Sequence, residues 1–207
     1  MADALNAFAV LFIVLDPVGM AWMFAVLTVD NTRQQQRHMA IRGVTLAGAI
    51  MYVFFFLGDS LLQWLGIGLP AFRIAGGILL FLLAMEMVFA RHSGIRSTTR
   101  GEQHEAENKN DISVFPLAFP LLAGPGTLTT VLLIGGHIQT MLDRVVMGVV
   151  ILVMCVLTLF FLLISRRLSA LLGQTGANVI SRLLGLILAA LAVQYVIDGI
   201  HQGFVTA

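Results

Sequence analysis

Six long apolar segments are the feature that most limits how this chain can fold. They cover residues 6–29, 43–64, 69–90, 112–136, 145–164 and 179–200. Each is long enough to cross a bilayer core of about 30 Å, which takes about 20 helical residues. Backbone polar groups cannot be left unpaired in hydrocarbon, and a helix satisfies them within one segment. The sequence therefore predicts an all-α polytopic membrane protein with six transmembrane helices.

The composition excludes most other classes of protein. Only 11% of the residues are charged, against about 25% in a soluble domain, and the mean hydropathy is +0.94. A single cysteine, Cys155, excludes a disulfide scaffold. The net charge of +1 gives no general attraction to nucleic acid. The expected partners are the lipid bilayer and a small solute, and a homo-oligomer is left open.

The connections predict both the division of the chain and its orientation. Residues 91–111 are polar, mixed in charge and without periodicity, which indicates a flexible loop between two three-helix units, 1–90 and 112–207. Ten of the 12 Lys and Arg residues fall on one side of the predicted spans, the exceptions being Arg73 and Arg144. The positive-inside rule places that side, including the loop, in the cytoplasm and both termini outside.

The two units resemble each other. The segment RIAGGILLFLLA at 73–84 is similar to RLLGLILAALAV at 182–193. Pro17 precedes the first segment by 56 residues, and Pro125 precedes the second by 57. With three spans in each unit the second copy enters from the opposite face, so the prediction is a 3+3 inverted repeat. Inverted repeats with interrupted helices are typical of secondary transporters.

Two prolines lie near the middle of the first and fourth spans, in Asp16-Pro17 and in Gly124-Pro125-Gly126. Proline removes a backbone donor and clashes with the preceding helical turn. Asp at an N-cap followed by Pro at the first helical position is a typical helix start. We therefore predict that both spans break near the bilayer midplane into two half-helices, and that the second half-helices begin at the centre and run in opposite directions.

This arrangement predicts a central site. Two helix N-termini, each equivalent to about +0.5 charge, attract an anionic group, while Asp16 attracts an ammonium group, or binds a proton or Na⁺. The candidate substrate-binding residues are Asp16, Pro17, Gly19, Gly124, Pro125, Gly126, Thr127 and Thr130. The alternative is purely structural: Asp16 only caps a kinked helix, and the threonines bond back to the preceding turn.

Three further residues are assigned gating or structural roles. Arg73 and Arg182 open the third helix of each unit, where they cap carbonyls, reach the headgroups or gate access for an acidic group. Pro120 is a flexing or entry element of the fourth span. There is no HExxH motif and no converging nucleophile–base set, so no enzyme, metal site or cofactor is expected.

Three segments resemble the MarC family of bacterial inner-membrane proteins: LFIVLDPVG at 11–19, AFRIAGGILLFLLAMEM at 71–87 and PLAFPLLAGPGTLTTVL at 116–132. The resemblance covers essentially the whole chain. It implies six transmembrane helices in the bacterial cytoplasmic membrane, and some relatives are described as neutral amino-acid transporters. The family commonly reads D-P-x-G-N-x-P in the first span, whereas Met20 and Trp22 replace the Asn and the second Pro here.

The leading hypothesis is a secondary transporter or exporter of a small solute that works by alternating access between the two units. A neutral amino acid is the favoured class of solute. The alternatives are a passive channel, and a membrane scaffold or stress-related protein that carries no solute. The sequence does not predict the substrate, the direction of transport, the coupling ion or the oligomeric state.

Overall fold

The computed structural model describes residues 2–89, 111–136 and 140–205, which are helical and contain no strand. The α-helices in chain order are α1 (Ala2–Leu15), α2 (Pro17–Leu27), α3 (Arg33–Trp64), α4 (Leu69–Phe89), α5 (Pro125–Gly135), α6 (Met141–Leu163) and α7 (Ser165–Val205). A π-type segment, Ser113–Leu122, precedes α5. The all-α prediction is confirmed. Apart from Asp111, the predicted loop at 91–111 lies outside the described residues.

The described residues supply five candidate membrane spans, or six when a bent helix pair is counted as one span. Five are single candidates by length and composition: Ala4–Leu27, Arg33–Gly58, Leu69–Phe89, Met141–Leu163 and Ser165–Phe204. The sixth is a bent pair, Ser113–Leu122 with Pro125–Gly135. The predicted number of spans is therefore confirmed. The last helix is longer than predicted, because it already begins at Ser165 and continues through a kink at Gly173 (φ 60°, ψ −177°).

The breaks predicted in the first and fourth spans are both present, and they differ in kind. In the first span a single residue, Asp16, separates α1 from α2, and residues 4–27 still form one candidate span. In the fourth span the two parts are bent by 56°. The first span is thus interrupted but still forms one candidate span, whereas the fourth changes direction.

The first half of the fourth span is not the α-helix that was predicted. Phe115 (φ −131°, ψ 127°) and Phe119 (φ −134°, ψ 129°) are extended, and each precedes a proline across a cis peptide bond. Proline pushes the preceding residue out of the helical region and offers no N–H of its own. With Pro116 and Pro120 four residues apart, the segment closes wide turns instead, such as Leu117 N–H to Ile112 O at 3.1 Å.

Helix α1 lies between two apolar clusters and so occupies the middle of the bundle. Leu11 and Leu15 belong to a cluster with residues of α2, α3, α6 and the π-type segment. Val10 and Val14 belong to a second cluster with α4 and α7. The end of α1, and the break that follows it, are therefore surrounded by protein.

Helices α4 and α7 pack closely along their length through glycines. A Cβ added to Gly77 would lie 2.8 Å from Ala192 O and 3.1 Å from Val196 N. A Cβ added to Gly185 would lie 3.1 Å from Ala84 O. Small residues that let backbones approach are the usual contact in membrane helix pairs. Gly77 and Gly185 are the glycines that permit this close approach.

We expect Gly77→Ala to lower the free energy of unfolding by about 1–3 kcal/mol, because the added methyl meets backbone atoms that cannot rotate away. Gly203→Ala is the matched control on the same helix pair, since its Cβ would meet Pro70 Cβ at an ordinary 3.8 Å. The measurement is a denaturant titration of the purified protein in detergent micelles. Equal losses in the two variants would contradict the close contact.

Candidate functional site

Asp16 is the buried polar centre of the first break, with 2% of its surface exposed. Its Oδ1 accepts a hydrogen bond from Gly19 N–H at 3.0 Å, which caps the start of α2. Its Oδ2 accepts a hydrogen bond from the Ser181 hydroxyl of α7 at 2.7 Å. One carboxylate thus closes a helix end and ties the first span to the last.

The chain can break at Asp16 because its backbone groups still find partners. Asp16 N–H donates to Phe12 O at 2.9 Å and ends α1, while Asp16 O accepts from Met20 N–H at 2.9 Å and begins α2. Pro17 stands at the first helical position, where no N–H is needed. Asp16 itself is left-handed (φ 45°, ψ 65°), a conformation that Asp adopts more readily than most residues because its side chain bonds locally. The predicted cap is confirmed.

Gly19 leaves space for the Asp16 carboxylate and the Ser181 hydroxyl to meet. A Cβ at position 19 would lie 2.6 Å from Ser181 Oγ and would overlap the Asp16 carboxylate. The sequence places Gly19 among the substrate-binding residues, and the structure shows a further reason for a glycine there. Any larger residue would separate α2 from α7 at this point.

The second break leaves its helix start without a side-chain cap. Gly124 is the N-cap of α5 (φ −80°, ψ 174°) and Pro125 occupies the first helical position. A Cβ on Gly124 would overlap Pro120 O, so the gating candidate Pro120 is packed against the break. Thr130 Oγ1 donates to Gly126 O at 2.9 Å, which is the back-bonding alternative. Thr127 is buried one turn away.

The two breaks lie close together. A Cβ added to Gly126 would lie 3.8 Å from Val14 Cγ1, two residues before Asp16, and would press on Leu80 and Leu83 of α4. From the breaks, α2 and α5 run towards different ends of the bundle. The α2 end is held by Gln36, whose Nε2 donates to Thr28 O at 2.6 Å.

The end of the bundle that α2 approaches carries Arg33, Arg37, Arg42, Arg166 and Arg167, and we call it the basic end. Helix α5 runs the other way, to a polar cavity of about 420 Å³. We call that side the opposite end, and the cavity there the opposite-end cavity.

The opposite-end cavity gathers charged and polar residues from several helices. Its lining is Asn6, Ala7, Val10, Arg73, Leu133, Ile134, Asp143, Met147, Tyr195 and Asp198. Arg73 is buried there with 4% of its surface exposed, whereas Arg182 is exposed. The two arginines were assigned together from the sequence, but the structure gives them different surroundings. Val10 lies six residues before Asp16, which is about 9 Å along a helix.

Several of these residues carry no local signal in the sequence that points to the site. Ser181 was not singled out, although it adjoins Arg182 in the repeated segment, and no spacing rule links it to Asp16, 165 positions earlier. Asn6 and Tyr195 were not singled out either, because each is an isolated polar side chain in an apolar segment. Only the packing of α1 against α4 and α7 brings them near Arg73.

These features define an integral membrane protein whose first and fourth spans are interrupted at positions that lie close together. A family model described as "MarC family integral membrane protein" matches residues 1–204. The chain therefore belongs to the MarC family, as the three resembling segments predicted.

Several relatives match over nearly the whole chain. The "UPF0056 membrane protein YvbG" of Bacillus subtilis is 36% identical over 96% of this chain and 94% of the relative. A "UPF0056 membrane protein" of Aquifex aeolicus is 34% identical, with 95% and 92% covered. The "UPF0056 inner membrane protein YhgN" of Escherichia coli is 32% identical, with 98% of each covered. No solved structure matches at a significant level.

We expect Ser181→Ala to destabilise the protein by about 1.5–3 kcal/mol, because it removes a hydrogen bond to a buried carboxylate. Ser60→Ala, at an exposed position of α3, is the control and should stay within about 0.5 kcal/mol of the parent. Thermal and denaturant unfolding in detergent report both. A Ser181→Ala protein as stable as the control would show that the contact between α2 and α7 does not depend on this bond.

Proposed function

We propose that the protein is a secondary transporter or exporter of a small solute, and that it works by alternating access around the two neighbouring breaks. A neutral amino acid is the first class of solute to test. The observation that carries the proposal is the closeness of Val14 and Gly126 beside the buried Asp16 carboxylate. Interrupted helices that meet inside the bilayer, with a carboxylate among them, are the usual construction of solute and coupling-ion sites.

The uncapped start of α5 and the capped start of α2 suggest different tasks. At Gly124–Thr127 a solute carboxylate can take the backbone donors that no capping side chain occupies. At Asp16 an ammonium group, a proton or Na⁺ can compete with the Ser181 hydroxyl for Oδ2. The proposal involves no catalytic step, and no cofactor apart from a proton or Na⁺ as the coupling ion.

Occupancy of Asp16 can be coupled to movement through α7. Protonation or cation binding weakens the pull of the carboxylate on Ser181, and Ser181 belongs to α7. Helix α7 is packed against α4 through Gly77 and Gly185, so the two helices would shift as a pair relative to α1 and α2. A shift of that kind opens one end of the bundle while closing the other.

We also propose that the two halves form a 3+3 inverted repeat, with the basic end in the cytoplasm and both termini outside. Helices α2 and α5 support it, because both contain 11 residues, begin with proline and run to opposite ends. The opposite-end cavity would then be the outer entrance. Its buried Arg73 can bind a carboxylate through two N–H donors.

We expect Asp16→Asn to abolish ion-driven uptake of radiolabelled neutral amino acids into proteoliposomes, because the amide cannot carry the negative charge that attracts the coupling ion. Asp30→Asn, an exposed residue with the same chemical change, should retain uptake. Size-exclusion and thermal profiles establish that both variants are folded.

The same assay separates the alternatives. Downhill flux that survives in Asp16→Asn, with no response to an ion gradient in the parent protein, would identify a passive channel. Absence of flux for every amino acid and small organic acid in the folded parent protein would contradict transport and favour a scaffold.

We expect Arg73→Gln to raise KM for a carboxylate-bearing solute at least tenfold, since a charge-assisted pair is worth about 1.5–3 kcal/mol. Arg73→Lys should recover part of the affinity, because the charge stays and the paired donors are lost. Arg144→Gln, exposed on the same end, is the control. An unchanged KM in folded Arg73→Gln would show that Arg73 does not bind the solute at the entrance.

A further inference from the structure

Four arginines converge on one cavity at the basic end. The cavity has a volume of about 360 Å³ and is lined by Arg33, Gln36, Arg37, Leu162, Leu163, Ile164, Arg166 and Arg167. None of these lining residues is acidic, and Asp30 in the neighbouring connection is not among them. An anion between four positive charges would be attracted by all of them and would offset their mutual repulsion.

The local structure explains why the arginines meet. Arg33 and Arg37 are four residues apart in the first turns of α3, so they lie on one face. Arg166 and Arg167 stand in the first turn of α7, which follows α6 after the single residue Ile164. The cavity thus lies between the first turns of α3 and the turn from α6 to α7, and arginine side chains from both reach it.

We propose that this cavity binds the phosphate headgroup of an anionic phospholipid. Arginine presents paired N–H donors that match phosphate oxygens. The cavity is also bounded by the last apolar residues of a membrane span, and Leu163 is 47% exposed where acyl chains would pass. A free phosphate ion would gain nothing from that apolar side. Basic pockets between transmembrane helices are suited to anionic headgroups.

Arg166 is already held in place for this task. Its guanidinium donates to Asn31 O in the connection between α2 and α3. It also lines a neighbouring cavity of about 380 Å³ with Ala25, Val29, Ser169 and Ala170. A lipid bound here would bridge the α2–α3 connection and the α6–α7 turn. The site is independent of any transported solute, and its test requires no flux.

The experiment uses the purified full chain in a neutral detergent, stripped of lipid. Phosphatidylglycerol, phosphatidylcholine or inorganic phosphate is titrated while thermal unfolding and native mass spectra are recorded. We expect phosphatidylglycerol to raise the unfolding temperature and to remain bound in the spectra. Phosphatidylcholine and inorganic phosphate at equal concentration should do neither.

The double variant Arg37→Gln/Arg167→Gln should weaken phosphatidylglycerol binding about 30-fold, because each arginine near an anionic surface contributes about fivefold. Arg144→Gln/Arg182→Gln loses the same charge outside the cavity and should bind within twofold of the parent. All four arginines are exposed, so both variants should fold.

Three results would overturn the assignment. Equal stabilisation by phosphatidylcholine would show that charge is not recognised, and equal weakening in both variants would show a general charge effect without a site. Stabilisation by inorganic phosphate alone would mean that the cavity binds a free anion and no lipid.

Discussion

The hydrogen bonds of the Asp16 carboxylate are the constraint on which the rest of the structure depends. A break in a membrane helix exposes backbone groups that hydrocarbon cannot satisfy. Asp16 supplies the missing acceptor to Gly19 N–H and uses its second oxygen to hold Ser181. The first span can therefore be interrupted at its centre and remain fixed to the last span. A buried carboxylate is costly without such partners, so this pair also keeps α2, α7 and the glycine between them in one arrangement.

The helix starts at the two breaks are capped differently, and the difference suggests that the two breaks have different functions. At Asp16 a side chain caps the new helix, and the two parts still form one candidate span. At Gly124 no side chain is present, two prolines have already unwound the preceding turns, and the span bends by 56°. The first break is thus internally satisfied and linked to α7. The second leaves helix donors for another group, which is why the proposed solute carboxylate is placed there.

Charge is distributed unequally between the two ends of the bundle. Arg33, Arg37, Arg166 and Arg167 are exposed around a cavity with an apolar border, where lipid headgroups can reach them. Arg73 is buried in a cavity that also contains Asp143, Tyr195 and Asp198. The exposed arginines suit an interfacial anion, whereas a buried guanidinium among acids and hydroxyls suits a small polar solute. Two sites of different chemistry can therefore coexist in one small membrane protein.

The sequence by itself determined the spans, the position of both breaks and the N-cap role of Asp16, because apolar length, proline and a capping side chain act locally. It could not predict the unwound first half of the fourth span, where Pro116 and Pro120 act together on the residues before them. Tertiary structure alone decided that Asp16 bonds to Ser181, that Val14 lies close to Gly126 and that Arg73 is buried while Arg182 is exposed. The physical reason is distance along the chain. The first two pairs join residues more than a hundred positions apart, and the burial of an arginine depends on which helix covers it. Local sequence patterns do not determine how helices pack against each other.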